Sequence, residues 1–425
     1  MEVSGKDIHD LAKKIFPICR SLTGNGVRDT LSILKQVLPS LQVFEIPTGS
    51  KCWDWTVPNE WNIKDAYIQN SSGEKIVDFQ ETNLHVLGYS TPVNKVISLS
   101  ELKKHLHSDP SKPDAIPYRV SYYKERWGFC ITHNQFKSLK DDQYKVVIDS
   151  DLSRGSMTYG ELIIKGESPE EVFLSTYICH PSMGNNETSG IVVTAFIAQW
   201  LQKIKNKKTY RIIFIPETLG SICYMSQNIQ QMKKNIIAGF NITCIGDNRM
   251  YSYIESRKKD TLSDRVAHHA IKNLNSKYKI YPFIKSGSDE RQYCAPGADL
   301  PVVSLMRSKY DEYDEYHSSM DDLTTITKDG LFGGYTFVKK CIKILESNEI
   351  LESLILGTPQ LGKRNLYPSL HKGKLGKYHR NLVDMLSYID GEKDILDIAN
   401  ILEVDMEDLE EIVATLKSEN IVTKC

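Results

Sequence analysis

Three short segments place side chains capable of chemistry where apolar runs end, and a fourth presents one after an acidic loop. In YICH (177–180) an uncharged run stops at His180, and a loop of small and polar residues follows it. In IIFIPE (212–217), Glu217 emerges from β-branched and aromatic neighbours, and in CIGD (244–247), Asp247 repeats that pattern. In EYHSSMD (315–321), His317 follows a loop carrying Asp311, Glu312, Asp314 and Glu315. A histidine at the carboxyl edge of a strand is well placed to offer a ring nitrogen to a metal. A carboxylate leaving so apolar a run needs a partner, because burying an unpaired charge is costly. Taken singly, each has an ordinary reading: a strand-capping histidine, a carboxylate at a helix N-terminus, a solvated acidic loop. Taken together, two imidazoles and two carboxylates on separate strand ends match the nitrogen and oxygen donors zinc takes in hydrolases.

Residues at strand ends need a sheet to gather them. YKVVIDSDL (144–152), GSMTYGELIIKG (155–166), EEVFLSTYICH (170–180), TYRIIFIPE (209–217) and IAGFNITCIGD (237–247) read as strands. Helical patterns cover 190–205, the stretch from Leu219, 260–274 and 329–346. Strand–helix alternation with apolar strands predicts an α/β fold: a mostly parallel sheet with helices on both faces. Such sheets collect ligands at the carboxyl ends of their strands.

The first forty residues read as helical, with Val27, Leu31, Leu34 and Leu38 on one face and a stop at Pro39. From 41 to 140 the segments are short and rich in Tyr, Trp and Pro, which predicts a small inserted β-rich domain. After Leu356 a Gly-, Pro- and Lys-rich stretch reads as a linker. Helices over 393–402 and 406–418 and the strand NIVTK then predict a winged-helix-like module. The expected domains are therefore 1–40 with 141–355, an insertion at 41–140, and 363–425.

The balance of the chain narrows its function. With 425 residues, 40% of them hydrophobic, it is long enough for two or three domains. A formal net charge of -1 supplies no global field for polyanions. The helix from 406 carries Glu407, Asp408, Glu410 and Glu411 just after Asp405, against Lys417 alone, which opposes a phosphate backbone. A basic cluster does exist at Lys363, Arg364, Lys372, Lys374, Lys377 and Arg380. We expect no nucleic-acid partner and no membrane span, and assign the C-terminal module to protein interaction or homo-oligomerisation. The nine cysteines are scattered and form no CxxC pair, which predicts reduced thiols and a cytoplasmic location.

Beyond single motifs, the order of segments resembles the zinc exopeptidases of the aminopeptidase-like fold. Its carriers are His180, NETSG (186–190), Glu217 with Gly220 and Ser221, Asp247, Ser288-Asp289 and HSSMD (317–321). More closely, FPICRSLTGNGVR, WDWTVPNEW, SGSDERQY and EYHSSMDDL resemble a bacterial and archaeal aminopeptidase family with an inserted β domain and a C-terminal winged helix. The resemblance implies metal ligands drawn from His180, Asn186, Glu217, Asp247 and His317. It also implies hydrolysis of an amide at the N-terminus of a peptide or in an aminoacylated small molecule, including an aminoacylated sugar.

Two positions depart from that pattern. Asn186 stands where the group has the aspartate that bridges two zinc ions, and a neutral amide is a poor bridge, so one zinc is expected rather than two. Pro216-Glu217 stands where the group has paired glutamates, leaving one carboxylate to serve as base or ligand. Glu290 and Glu187 are the alternative carboxylates for the vacant role. Asp289 is expected to accept the free ring N–H of His180, and Arg249, Arg291, Tyr293 and Arg307 to bind substrate. The competing reading is a winged-helix regulator whose enzyme-like domain only senses a ligand.

Overall fold

The computed structural model describes residues 3–122, 124–366 and 376–425. They form two units: residues 1–263 with 277–336, and residues 264–276 with 337–425.

The larger unit is built on an eight-stranded sheet. Its four central strands, Thr209–Ile215, Glu171–Tyr177, Ile236–Ile242 and Val302–Met306, lie side by side and run parallel. On one flank Ser156–Ile164 joins antiparallel and Gln42–Pro47 pairs antiparallel with it. On the other, Tyr251–Ile254 joins antiparallel and takes Tyr278–Tyr281 as a parallel edge. The expected α/β sheet is thus present, with a parallel centre and antiparallel margins. Every residue of Glu171–Tyr177 and Thr209–Ile215 is buried, as central parallel strands covered on both faces must be.

Helix Ser189–Leu201 packs against the central strands and is buried over nearly its whole length. Gly190 makes that approach possible, since a Cβ there would stand 2.5 Å from the Ile242 carbonyl oxygen and 2.7 Å from Thr176 Oγ1. A π-helical turn, Gly184–Thr188, precedes the helix. Turns of this kind collect at functional sites.

A second, four-stranded sheet contains Lys75–Asp78, Glu60–Gln69, Gln143–Ser153 and Val93–Ser98 in that order. Strand 143–153, read from sequence as the first of the large domain, runs here. Strand 42–47, read as part of the insertion, belongs to the large sheet. Pairing partners are a tertiary choice that periodicity does not encode.

A disulfide joins Cys52 to Cys223 across 171 residues, while the other seven cysteines are free. This corrects the expectation of reduced thiols throughout. The hairpin carrying Cys52 is laid against helix Leu219–Asn235, a proximity that cysteine spacing could not reveal.

In the smaller unit, helices Lys377–Leu386, Ile395–Ile401 and Glu410–Ser418 accompany a two-stranded sheet of Leu351–Ser353 and Val422–Lys424. The first of these helices was not read from the sequence. The acidic residues beside the last helix are largely paired: Asp405 with Lys340, Glu407 with Lys343 and Asp408 with Lys377. Of the basic cluster, Lys372 and Lys374 lie outside the described residues. Among the described residues no helix is long and apolar enough to cross a membrane.

Candidate functional site

His180 stands three residues beyond the end of strand Glu171–Tyr177, and Glu217 two beyond Thr209–Ile215, so the parallel pairing of these strands delivers both to one sheet edge. His180 Nε2 lies 3.8 Å from Glu217 Oε2. The other Glu217 oxygen accepts the Ser288 hydroxyl at 2.5 Å. Burial raises the Glu217 pKa, only partly offset by His180 and that hydroxyl.

The partner of His180 Nδ1 is Glu187, at 2.7 Å, and not Asp289. Glu187 Oε2 also receives the backbone N–H groups of Cys179 and His180, at 2.9 and 2.5 Å. Its Oε1 takes Arg20 Nε at 2.7 Å, with both side chains fully buried. Burial opposes a charge on His180, yet Glu187 and then Glu217 outweigh it and raise its pKa. Cys179, His180 and Glu187 form the one compact group of three metal-capable side chains among the described residues. The arginine and the saturated carboxylate make that face a poor cation site, so Nε2 is the nitrogen left for a metal.

His317 sits beyond strand Val302–Met306, held in the left-handed region at φ 52° and stacked on Tyr316 with 3.9 Å between ring centroids. Its ring centroid is 5.5 Å from that of His180. Burial and the His180 charge push its pKa well below the ordinary value, leaving a neutral imidazole. Its Nε2 is buried and has no hydrogen-bond partner, and so is the Asn186 Oδ1 atom. Orphaned acceptors of this kind are uncommon in folded proteins and suit a bound Lewis acid.

The intervening loops are fixed by Asp321, whose two oxygens accept the backbone N–H groups of Asn185 and Asn186 at 2.6 and 2.9 Å. Burial, partly offset by these bonds, raises its pKa to about 6. The Asn186 amide nitrogen donates to the Tyr177 hydroxyl at 2.5 Å. Asp247 is oriented by Asn185 Nδ2 at 2.9 Å and by the backbone N–H groups of Arg249 and Ser308.

Several expected roles do not survive this geometry. Asp289 instead accepts the Thr218 N–H and the Ser221 hydroxyl at the start of helix Leu219–Asn235. Burial, reinforced by Glu217, raises its pKa far above the ordinary carboxylate value. Glu290 is fully buried and saturated by Gly287, Ser288, Tyr310, Asn241 and Ser304, so it has no free oxygen to act as a base. Tyr293 is buried in the core with its hydroxyl on Ser175, and Arg307 is buried, bonded to the Met250 carbonyl and stacked on Tyr251. Neither is open to substrate. Arg249 Nη2 donates to both oxygens of Glu315 at 2.7 and 2.8 Å, and Arg291 is exposed with Nε donating to Ser286 Oγ.

The N-terminal motif supplies more than Arg20. A cavity of about 760 Å³ is lined by Phe16, Thr23, Asn25 and Trp61 and reaches Ser182 and Ser319, each two residues past a site histidine.

A family model described as a domain of unknown function (DUF4910) matches residues 9–348, and one described as a winged helix-turn-helix matches 349–424. A Clostridium acetobutylicum protein named for polysaccharide biosynthesis and an aminopeptidase-like domain is 46% identical over 398 residues, covering 93% of this chain and 91% of that one. The crystal structure of a protein from the same organism, named as a peptidase, superposes with a TM-score of 0.94 at 44% identity, covering 99% and 96%. The zinc aminopeptidase of Bacillus subtilis superposes with a TM-score of 0.60 at 11% identity, covering 81% of this chain and 95% of that one. That likeness is one of fold.

Proposed function

Since the chain belongs to the DUF4910 family and gathers two histidines and a carboxylate at one sheet edge, we propose that it is a zinc-dependent amide hydrolase of aminopeptidase type. One ion would be held by His180 and His317, with oxygen donors from Asn186 and Asp247. When bound, zinc polarises an amide carbonyl and lowers the pKa of a bound water to about 7.

The chain's own residues do the remaining work. Glu187 holds His180 by its Nδ1 and so directs Nε2 toward Glu217. Glu217 is the carboxylate that takes a proton from water and returns it to the leaving amine. Ser288 fixes one of its oxygens and leaves the other free for that transfer. The single observation that carries the reading is the buried, partnerless Nε2 of a neutral His317 beside His180.

The test is zinc content per purified chain, measured together with turnover of amino-acid anilides. About one zinc per chain and zinc-dependent release of the amine are expected. A chain that stays metal-free after zinc loading overturns the reading. The name of the Clostridium relative favours a second substrate, an amide borne by a sugar, which the same residues would hydrolyse.

A further inference from the structure

Two cations that no motif singled out stand beside His317. A cavity of about 240 Å³ is lined by His317, Tyr316 and Ser318 and, from an earlier segment, by Lys112, Pro117 and Arg119. Sites for whole ligands run from about 300 to 1,000 Å³, so this space suits one substituent of a substrate. The main chain ties the two segments together. Tyr118 N donates to the His317 carbonyl at 2.9 Å, and Ser319 N donates to the Ile116 carbonyl at 2.8 Å. Pro117 and Ser318 form an isolated antiparallel bridge. The two charges are felt at the imidazole: after burial and the His180 charge, Arg119 and then Lys112 hold the His317 pKa down.

The bonds these cations make within the protein are long. Lys112 Nζ reaches the Tyr316 carbonyl at 3.3 Å, and Arg119 Nη1 the Tyr118 carbonyl at 3.3 Å. Among the described residues neither has a carboxylate at ion-pair distance, and Arg119 is exposed. Most of the planar guanidinium fork is therefore open to a ligand. Asp109 and Asp311 line the same cavity. Asp109 Oδ1 accepts the Ser111 N–H and hydroxyl at 2.9 and 2.7 Å, and Asp311 is exposed. Their charges disfavour a dianionic phosphate more than a single carboxylate.

We propose that Lys112 and Arg119 form a carboxylate-binding subsite, so that preferred substrates carry a carboxylate close to the scissile amide. That group lies on the acyl side chain or on the leaving group. The proposal rests on the amide-hydrolase reading above, and its test separates the two. Zinc-loaded full-length protein, Arg119→Gln, Lys112→Gln and Arg119→Lys are compared on two isosteric substrate pairs. Glutamyl and glutaminyl p-nitroanilides differ by a carboxylate on the acyl side chain. Alanyl-glycine and alanyl-glycinamide differ by one on the leaving group. The readout is the acid-to-amide ratio of kcat/KM within each pair. Calorimetric titration of the same four compounds into metal-free protein gives the ratio of affinities without turnover.

Wild type should favour the acid about tenfold or more in one pair, the scale of a charge-assisted hydrogen bond. Arg119→Gln should bring that ratio close to one, and Lys112→Gln should lower it in part. Arg119→Lys should retain a part, because lysine keeps the charge and loses the fork. A preference in the anilide pair places the carboxylate on the acyl side chain, and one in the dipeptide pair places it on the leaving group. Wild-type ratios at or below one in both pairs, or a preference that Arg119→Gln leaves unchanged, overturn the subsite. A chain that binds these compounds but cleaves none overturns the hydrolase reading alone, and the affinity ratio then decides the subsite. A chain that neither binds nor cleaves any of them overturns both.

Discussion

Arg20 and Glu187 meet at 2.7 Å, Nε to Oε1, with both side chains shut off from solvent although 167 residues separate them. The pair links the N-terminal motif to His180, since Glu187 holds its Nδ1 with the other oxygen. A buried ion pair is weak evidence for stability, but losing one partner strands a charge.

Arg20→Met is therefore expected to cost about 3–5 kcal/mol, read as a fall in the denaturant midpoint. Adding Glu187→Gln to that variant should recover part of the loss. A single-variant cost below about 1 kcal/mol would mean that the pair is solvated after all.

Glu187→Gln should weaken zinc binding about 10–100-fold, because the amide is a poorer acceptor for the His180 Nδ1–H and no longer strengthens its donor nitrogen. Competition against a chelator measures this directly. Affinity equal to wild type would detach Glu187 from the metal site.

Glu217→Gln should keep zinc while amide turnover drops about a hundredfold to ten-thousandfold, the usual value of a positioned general base. Metal content and rate are measured on the same sample. If both fall together, Glu217 is a ligand; if neither falls, it has neither role.

Asn186→Asp should raise zinc stoichiometry from one toward two per chain, because a carboxylate can bridge two cations where a neutral amide does not. Calorimetric titration counts the ions. A stoichiometry that stays at one would place the obstacle elsewhere in the site.

Acid should expose the contribution of Glu60. The Arg28 hydrogen bond, with help from the Ser156 N–H, lowers its pKa from 4.5 to about 2. Because the folded value is depressed, the stabilisation is complete above about pH 4.5 and is lost as pH falls toward about 2. Arg28 is 29% exposed, so screening reduces the contribution to about 1–2 kcal/mol. The stability gap between wild type and Glu60→Gln, followed by urea unfolding, should close across that window. A gap that persists unchanged at pH 2 would refute the assignment.

The strand ends that carry three of the candidate residues were legible in the sequence. An apolar run that stops at His180, Glu217 or Asp247 announces a buried strand delivering a polar group at its end, because such a strand is stable only when covered on both faces. The helix read from residue 190 begins at Ser189, and Gly190 lets it approach the sheet closely.

The neighbours that tune those residues were not legible. Glu187 lies seven residues from His180, yet only the π-helical turn folds its carboxylate back onto Nδ1, while Asp289, the sequence's own nominee, is drawn to the start of another helix. The Arg20–Glu187 pair and the Cys52–Cys223 bond show no local signal, since their partners meet only through long-range packing. Periodicity and residue type report what a segment must bury and where a strand ends. Which distant side chain meets that end depends on strand order, register and loop path, and these are settled only when the whole chain packs.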